Sequence, residues 1–100
     1  MVVKKSLVWD SEAVFQFEEA YNFLKEKSPP SAQKVKDAIL IELKNLPLHP
    51  ENYELDRFKV NNNGQYRAFE IYSYRIAYRV LDSEIRILRL RHSSREPKQY

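Results

Sequence analysis

The stretch YRAFEIYSYRIAYRVLDSEIRILRLR, residues 66–91, decides the fold. Its aromatic and β-branched side chains are typical of strands, and Ser73 and Asp82-Ser83 supply polar residues where turns fit. The pattern predicts three consecutive strands, Tyr66–Tyr72, Tyr74–Leu81 and Glu84–Arg91. Because their connections are short, these strands must run antiparallel and form a meander.

Two helices are predicted before this sheet. Asp10 or Ser11 is a suitable N-cap, and apolar residues then recur at steps of three and four, as on one face of a helix. Ser28-Pro29-Pro30 ends that helix and begins a second one, which ends near Asn45. So short a connection predicts an antiparallel helical hairpin. Val2 to Trp9, rich in bulky and β-branched residues, predicts a short N-terminal strand.

The segment between the helices and the sheet has turn chemistry. Residues 48–56 indicate a loop, and Arg57–Val60 is long enough for a short strand. Asn61-Asn62-Asn63-Gly64 holds the only glycine of the chain and is a strong signal for a type I′ hairpin. The predicted fold class is therefore α+β in two layers: a short N-terminal strand, an antiparallel helical hairpin and a twisted antiparallel β-meander. The length of 100 residues suits a single domain, residues 1–100.

Charge is distributed unevenly along the chain. Residues 1–50 carry seven lysines, no arginine and seven acids, whereas residues 57–100 carry ten cations against four acids, a net of +6. All eight arginines lie in this second part. A guanidinium group grips a phosphate through two parallel hydrogen bonds, so the pattern predicts a β half that binds a polyanion.

The composition argues against several classes of protein. Without cysteine the chain has no disulfide and no thiol nucleophile, and its two histidines are distant from each other, so we expect neither a metal nor another cofactor. A single glycine argues against a glycine-rich phosphate loop, and hydrolase motifs are missing. No apolar run is long enough for a signal peptide or a membrane span, so a cytoplasmic protein without membrane contact is expected.

Strand alternation divides the side chains of the predicted central strand between two faces. It places Arg75, Ala77 and Arg79 together, on the face opposite the one that the helices would cover. The small Ala77 leaves room for a ligand beside Arg75, which favours a functional role for this arginine. For Arg79, a solvent-exposed ion pair with a carboxylate such as Glu70 is an equal alternative.

Candidates for proton transfer follow the last predicted strand. His92 lies among arginines, whose charge favours the neutral imidazole that a general base requires; an ordinary histidine at a strand end is the alternative. Tyr100 has a phenol that nearby cations would help to ionise or that would stack on a base, and a frayed tail is the alternative. Four further basic residues, each typical of a protein surface, together predict a phosphate-binding surface: Lys59, Arg67, Arg95 and Lys98.

From about residue 6 onward the chain resembles the RelE/ParE superfamily of type II toxins. The similarity lies in the order and spacing of several features rather than in one motif. These features are Trp9 with Ala13, Ser28-Pro29 with Ala32, Tyr66-Arg67, the strand Tyr74–Val80, and Ile85–His92 followed by Arg95.

The resemblance implies the same fold and a toxin that a cognate antitoxin wraps and blocks. RelE-like members cut mRNA on the ribosome without a metal, and ParE-like members inhibit DNA gyrase. For the first activity, the resemblance implies that Arg75 stabilises the scissile phosphate and that Tyr100 is the tail tyrosine. Arg95 or His92 would fill the basic position after the last strand. Lys59 and Arg67 would then lie on neighbouring strands as binding or stabilising groups. Together with Arg79 and Lys98, they are the predicted nucleic-acid contacts.

Different parts of the chain favour different activities. The tail with His92, Arg95 and Tyr100 favours a metal-independent, ribosome-dependent mRNA endoribonuclease with an Arg/His/Tyr site on the exposed sheet face. The helical hairpin and its Ser-Pro turn are more ParE-like, and lysines are sparse where RelE-like proteins cluster them. Gyrase inhibition by binding rather than catalysis is therefore the alternative, and a toxin fold that has lost its activity is a third interpretation.

Overall fold

The elements follow the predicted order. The computed structural model describes residues 5–94 and 98–100 and contains β1 (Ser6–Trp9), α1 (Ser11–Lys27), α2 (Pro29–Asn45), a short 3-10 helix (Leu46–Leu48), β2 (Tyr66–Ile71), β3 (Tyr74–Val80) and β4 (Glu84–His92). The predicted α+β class is confirmed, including the antiparallel meander of the last three strands. Within the described residues, no helix is long and apolar enough to cross a membrane.

Local signals set the helix boundaries, as predicted. Ser28 is the one residue between α1 and α2, and its hydroxyl caps α2 by accepting a hydrogen bond from the Ser31 N–H at 3.4 Å. Pro29 fits the first position of α2 because an N–H there would have no partner within the helix. Asp10 is the N-cap residue of α1, but its carboxylate accepts a hydrogen bond from Arg86 at 2.8 Å instead of capping the helix.

The sheet has the strand order β1-β4-β3-β2. β1 is parallel to β4, with Ser6 opposite Glu84 and Trp9 opposite Ile87. No pattern in the sequence indicates this pairing, which makes β4 a central strand although it ends the meander. The helices pack on one face of the sheet, and the opposite face is called the open face below.

The core lies between the helices and the sheet. Its buried residues come from both layers: Ala13, Ile39, Leu43, Ile76, Tyr78, Ile85, Ile87 and Leu90. Trp9 and Phe17 extend the core at the end of β1, where their rings meet edge to face with centroids 5.6 Å apart.

A bulge in β4 determines which of its side chains lie on the open face. Tyr78 pairs with Ile87, and the preceding Ala77 pairs with Arg89, so that Leu88 is an extra residue. Directly opposed residues of neighbouring strands share a face. Three arginines of β4 therefore share the open face with residues of β3: Arg86 opposite Arg79, Arg89 opposite Ala77, and Arg91 opposite Arg75.

Gln16 of α1 contacts β4 next to this bulge. Its side-chain oxygen accepts a hydrogen bond from the Leu90 N–H at 2.7 Å, close to the irregular point of β4. A buried backbone donor without an acceptor is costly, so this amide contact stabilises β4 next to its bulge and connects it to α1.

The turns differ from the prediction in two places. Residues 57–60 are turns rather than a strand, so the Asn-Gly segment does not connect two strands of a hairpin. Its Asn62 side chain instead accepts hydrogen bonds from the N–H groups of Gly64 at 2.9 Å and Tyr66 at 3.3 Å. The tight two-residue turn lies at Tyr72 and Ser73, whose φ angles of 49° and 67° fit a type I′ hairpin.

Candidate functional site

A loop folds over part of the open face from the outer edge of β2. The Asp56 N–H donates to the Tyr66 carbonyl at 2.8 Å, and the Ala68 N–H donates to the Glu54 carbonyl at 3.3 Å. The Arg67 side chain also donates to the Tyr53 carbonyl at 2.6 Å. These contacts carry Asp56 onto the open face, where it becomes the centre of a polar network.

Asp56 is buried, with 2 % of its surface exposed, and its carboxylate accepts three hydrogen bonds. The donors are the Phe58 N–H at 3.0 Å, the Arg75 guanidinium at 3.0 Å and the Tyr100 hydroxyl at 2.6 Å. Burial raises the pKa of Asp56, but the hydrogen bonds from Tyr100, Phe58 and Arg75 outweigh that effect, so its pKa lies below the ordinary value. The carboxylate is therefore charged, and it fixes the positions of its donors.

Tyr100 is held at four points rather than frayed. Its N–H donates to the Phe58 carbonyl at 3.0 Å, and its carbonyl accepts from the Val60 N–H at 2.6 Å. Its ring packs under the Arg89 guanidinium, 4.0 Å from the ring centroid. Burial and the hydrogen bond to Asp56 raise the pKa of the phenol above its ordinary value, contrary to the expectation that cations would lower it. The hydroxyl thus stays protonated and donates to a carboxylate.

The Arg75 guanidinium contacts several side chains of the protein itself. Beyond Asp56, its guanidinium lies 3.7 Å from a Glu70 carboxylate oxygen and 4.8 Å from the centroid of the Phe58 ring. Its side chain is 16 % exposed. The neighbouring Ala77 is 1 % exposed, so the space that its small side chain was expected to leave for a ligand is already filled.

His92 lies apart from this network. It is directly opposite Tyr74, and the two rings meet edge to face with centroids 5.1 Å apart. Since the preceding Arg91 is opposite Arg75 on the open face, strand alternation directs His92 towards the helical layer. Its Nδ1 accepts a hydrogen bond from the Ser94 N–H at 3.0 Å and lies 2.6 Å from the Ser94 hydroxyl oxygen. Arg95, the other candidate at this position, lies outside the described residues.

Three of the predicted nucleic-acid contacts hold the loop or the tail in place. Lys59 donates to the Tyr100 carbonyl at 3.1 Å, Arg67 binds the Tyr53 carbonyl, and Arg79 donates to the Gln65 side chain at 2.9 Å. The side chain of the fourth residue, Lys98, is exposed. A role of these four residues in binding nucleic acid stays a prediction.

A cationic cleft opens beside the network on the open face. Its volume is about 250 Å³, and its lining includes four arginines and one glutamate: Arg57, Arg75, Arg89, Arg91 and Glu70. Phe58 and residues 92–93 complete the wall. An arrangement of this kind attracts anions, and its planar donors suit phosphate or carboxylate groups.

The sequence did not indicate that Asp56, Arg89 and Arg91 belong to the site. Asp56 lies in a loop, 44 residues from Tyr100 and 19 residues from Arg75, so no local pattern connects them. The spacing of Asp56 and Phe58 is the one local signal, since an aspartate often binds the N–H two residues later in an Asx turn. The roles of Arg89 and Arg91 depend on the bulge in β4, which no local signal predicts.

Comparison with known proteins assigns the chain to a family. Residues 7–97 match the sequence model described as "ParE toxin of type II toxin-antitoxin system, parDE". The chain belongs to the ParE toxin family. A toxin of this family implies a cognate antitoxin as partner. No curated protein sequence matches the chain.

Solved structures support the same ParE-like fold. The chain is similar to the chromosomal ParDE toxin–antitoxin system from P. aeruginosa, with 23 % identity and a TM-score of 0.70 over 89 % of this chain and 96 % of that one. It is also similar to the YoeB dimer from Staphylococcus aureus, with 16 % identity and a TM-score of 0.51 over 90 % and 98 % of the two chains. The predicted RelE/ParE superfamily is thereby confirmed.

Proposed function

We propose that this ParE-family toxin inhibits DNA gyrase by binding it, rather than by cutting mRNA. The observation that carries the proposal is that the described groups for proton transfer do not converge. Tyr100 and Arg75 are both bound to Asp56, whereas His92 contacts Tyr74 on the side of the helices.

Cleavage of RNA through its 2′-hydroxyl makes demands that this arrangement does not favour. The reaction needs a base for the hydroxyl, a cation for the crowded phosphate and an acid for the leaving oxygen. A phenol whose pKa is raised by burial and by a carboxylate is a weak acid and is not available as a base. Asp56 is a poor base too, because its pKa is lowered and its oxygens are already bound.

Binding makes fewer demands, and the open face meets them. It offers a cationic cleft held by a rigid network, and a rigid surface loses little conformational entropy when it binds a partner. The ParE family match points to the same choice between the two known activities of the superfamily. The cognate antitoxin would then neutralise the toxin by covering this face with acidic groups.

Ribosome-dependent mRNA cleavage is the second candidate. It is favoured by the cleft itself, because Arg75, Arg89 and Arg91 border it together with His92. A substrate that displaced Tyr100 from Asp56 would bring a phenol and several guanidinium groups to one phosphate. The Asp56 network opposes that rearrangement.

One pair of assays separates the candidates. The purified toxin is added to gyrase with relaxed plasmid, and in parallel to ribosomes that translate a defined mRNA. Loss of supercoiling with intact mRNA is the expected result. Cuts that appear only on ribosomes, with normal supercoiling, would overturn the proposal.

Two variants further distinguish gyrase inhibition from mRNA cleavage. Under the nuclease interpretation, His92→Gln and Tyr100→Phe each abolish mRNA cleavage, because each removes a proton donor or acceptor. Under the proposed function, neither variant removes a chemical step, so gyrase inhibition persists as long as the thermal midpoint of unfolding stays near the parent value. Circular dichroism provides that midpoint for both.

A further inference from the structure

Two arginines face each other in the cationic cleft. Arg75 of β3 lies directly opposite Arg91 of β4, and both side chains line the cleft. Like charges at directly opposed strand positions repel each other, so each guanidinium needs a compensating acceptor. In the part of the chain that the structure describes, only Arg75 has such an acceptor.

Arg75 and Arg89 have their acceptors inside the protein. Arg75 is paired with Asp56 at 3.0 Å and lies 3.7 Å from Glu70. Arg89 donates to the Lys98 carbonyl at 2.8 Å and packs on the Tyr100 ring. These two guanidinium groups hold the loop and the tail in place.

Within residues 5–94 and 98–100, Arg91 and Arg57 have no such acceptor. Among the described residues, neither guanidinium makes a hydrogen bond or an ion pair, and the Arg91 Nε is enclosed without a partner. Arg57 is exposed and lies with its guanidinium carbon 4.9 Å from the centroid of the Phe58 ring. The exposed Ser93 borders the cleft beside Arg91 and offers a hydroxyl group.

We propose that the end of the cleft formed by Arg57, Arg91 and Ser93 binds a phosphodiester group of nucleic acid. Arg57 approaches from the loop and Arg91 from β4, so their donors meet an anion from two sides. A tetrahedral phosphate accepts donors from several directions, whereas a planar carboxylate is satisfied by a single guanidinium fork. Arginine forks with a serine hydroxyl are also typical phosphate contacts in nucleic-acid complexes. This contact goes beyond the proposed function, because it does not depend on which enzyme or particle is the target.

The test is direct binding of a fluorescently labelled DNA duplex, measured by anisotropy over a series of salt concentrations. Each lost phosphate contact makes the slope of log K against log salt shallower by about 0.9, which amounts to about eightfold in affinity at ~0.1 M salt. We expect this change for Arg91→Gln and for Arg57→Gln. Binding should weaken to a similar degree on unrelated duplex sequences, since a phosphate carries no sequence information.

Arg86→Gln is the matched control. Arg86 lies on the same strand and the same face and carries the same charge, but its guanidinium is paired with Asp10 at 2.8 Å and with Glu84 at 3.0 Å. Equal losses of DNA affinity for Arg86→Gln and Arg91→Gln would refute the site and indicate a diffuse charge effect. Absence of DNA binding by the parent protein would also refute it. If Arg91→Gln does not fold, Arg57→Gln at its exposed position carries the same test.

Two competitors identify the anion. Inorganic phosphate should displace the duplex from the parent at lower concentrations than from Arg91→Gln, which supports a phosphate site. A polyglutamate peptide that displaces the duplex more effectively than unlabelled DNA of equal charge would overturn the proposal in favour of an acidic protein ligand. The supercoiling assay is independent of both results, so the site and the proposed function can fail separately.

Discussion

Asp56→Asn is the perturbation that most directly tests the network on the open face. The substitution keeps the shape and the Oδ1 acceptor for Arg75 and Phe58, but removes the charge and replaces Oδ2 by an amide that Tyr100 cannot donate to. Hydrogen bonds to charged groups contribute about 1.5–3 kcal/mol and neutral ones about 0.5–1.5 kcal/mol. Weakening the bonds to Arg75 and Tyr100 therefore costs about 2 kcal/mol.

The buried arginine adds to that cost. Arg75 loses its nearer carboxylate and keeps Glu70, which is 3.7 Å away with a side chain 49 % exposed and is therefore well solvated. Removing one partner of a fully buried ion pair costs about 3–5 kcal/mol, but the 16 % exposure of Arg75 and the remaining Glu70 reduce this. We expect a total loss of about 2–3 kcal/mol in the free energy of unfolding. For a domain of this size the thermal midpoint should fall by about 10–20 °C.

Urea unfolding followed by the fluorescence of Trp9 measures this loss. Trp9 is the only tryptophan, and it packs on Phe17 in the core, so its signal reports global unfolding rather than the mutated network. Asp82→Asn, at an exposed turn position, is the control and should change the free energy of unfolding by less than about 0.5 kcal/mol. A loss for Asp56→Asn as small as that of the control would refute the network as a source of stability.

The same variant has a defined pH dependence. The pKa of Asp56 in the folded protein is below the ordinary value of 3.8, so as pH falls the unfolded chain takes up this proton first. The stability that Asp56 contributes is present above its ordinary pKa and is lost as pH falls through the lower, folded-state value. The difference between the parent and Asp56→Asn should therefore shrink below about pH 4. A difference that stayed constant on acidification would contradict the charge-based explanation.

Three further expectations follow from the structure. Burial raises the pKa of Tyr78 from 10.0 to about 12, so the stability of the parent protein should fall as pH rises across that interval. Tyr78→Phe should lessen this fall. At neutral pH the variant should lose about 1 kcal/mol in the free energy of unfolding, measured in urea, because the hydrogen bond to the Pro50 carbonyl is lost. Gln16→Ala leaves the Leu90 N–H without its acceptor and should cost about 1–3 kcal/mol in the same assay, whereas Gln33→Ala, on the exposed face of α2, should cost little. The complex with the cognate antitoxin should weaken at least tenfold between ~0.1 and ~0.5 M salt in calorimetry, and a salt-insensitive complex would contradict an electrostatic cover of the open face.

The sequence predicted those parts of the fold that depend on neighbours along the chain. Ser28 followed by two prolines marks the boundary of the two helices, because capping and the missing proline N–H act within one turn. The parallel pairing of β1 with β4 joins residues almost eighty positions apart, and the Leu90 N–H next to the bulge is bound by Gln16 from another layer. Both are tertiary effects without a local pattern. The I′ turn at Tyr72 and Ser73 shows the same override, because residues that rarely take positive φ do so where the register of two strands requires it.

The site was predicted less well than the fold for the same reason. Strand alternation correctly placed Arg75 on the open face, since alternation is local. Alternation combined with the bulge also places His92 with Tyr74 rather than with Arg75, and the sequence offered no sign of that separation. The partner that defines the network, Asp56, reaches Arg75 through a loop whose path depends on hydrogen bonds to the edge of β2.

The number of arginines alone predicts anion binding poorly, because many guanidinium groups already have acceptors inside the protein. The net charge of +6 in the second part of the chain suggests a continuous cationic surface, but most of the described guanidinium groups already have acceptors within the protein. Those groups hold the loop, the tail and the first helix against the sheet: Arg67, Arg75, Arg79, Arg86 and Arg89. A guanidinium that is paired internally has fewer free donors, and one whose charge is already compensated by a carboxylate gains less from a new anion. Among the described residues, Arg57 and Arg91 have no internal acceptor that competes with a ligand, which is why substitutions at these two positions should report ligand binding more directly than substitutions at the more central Arg75.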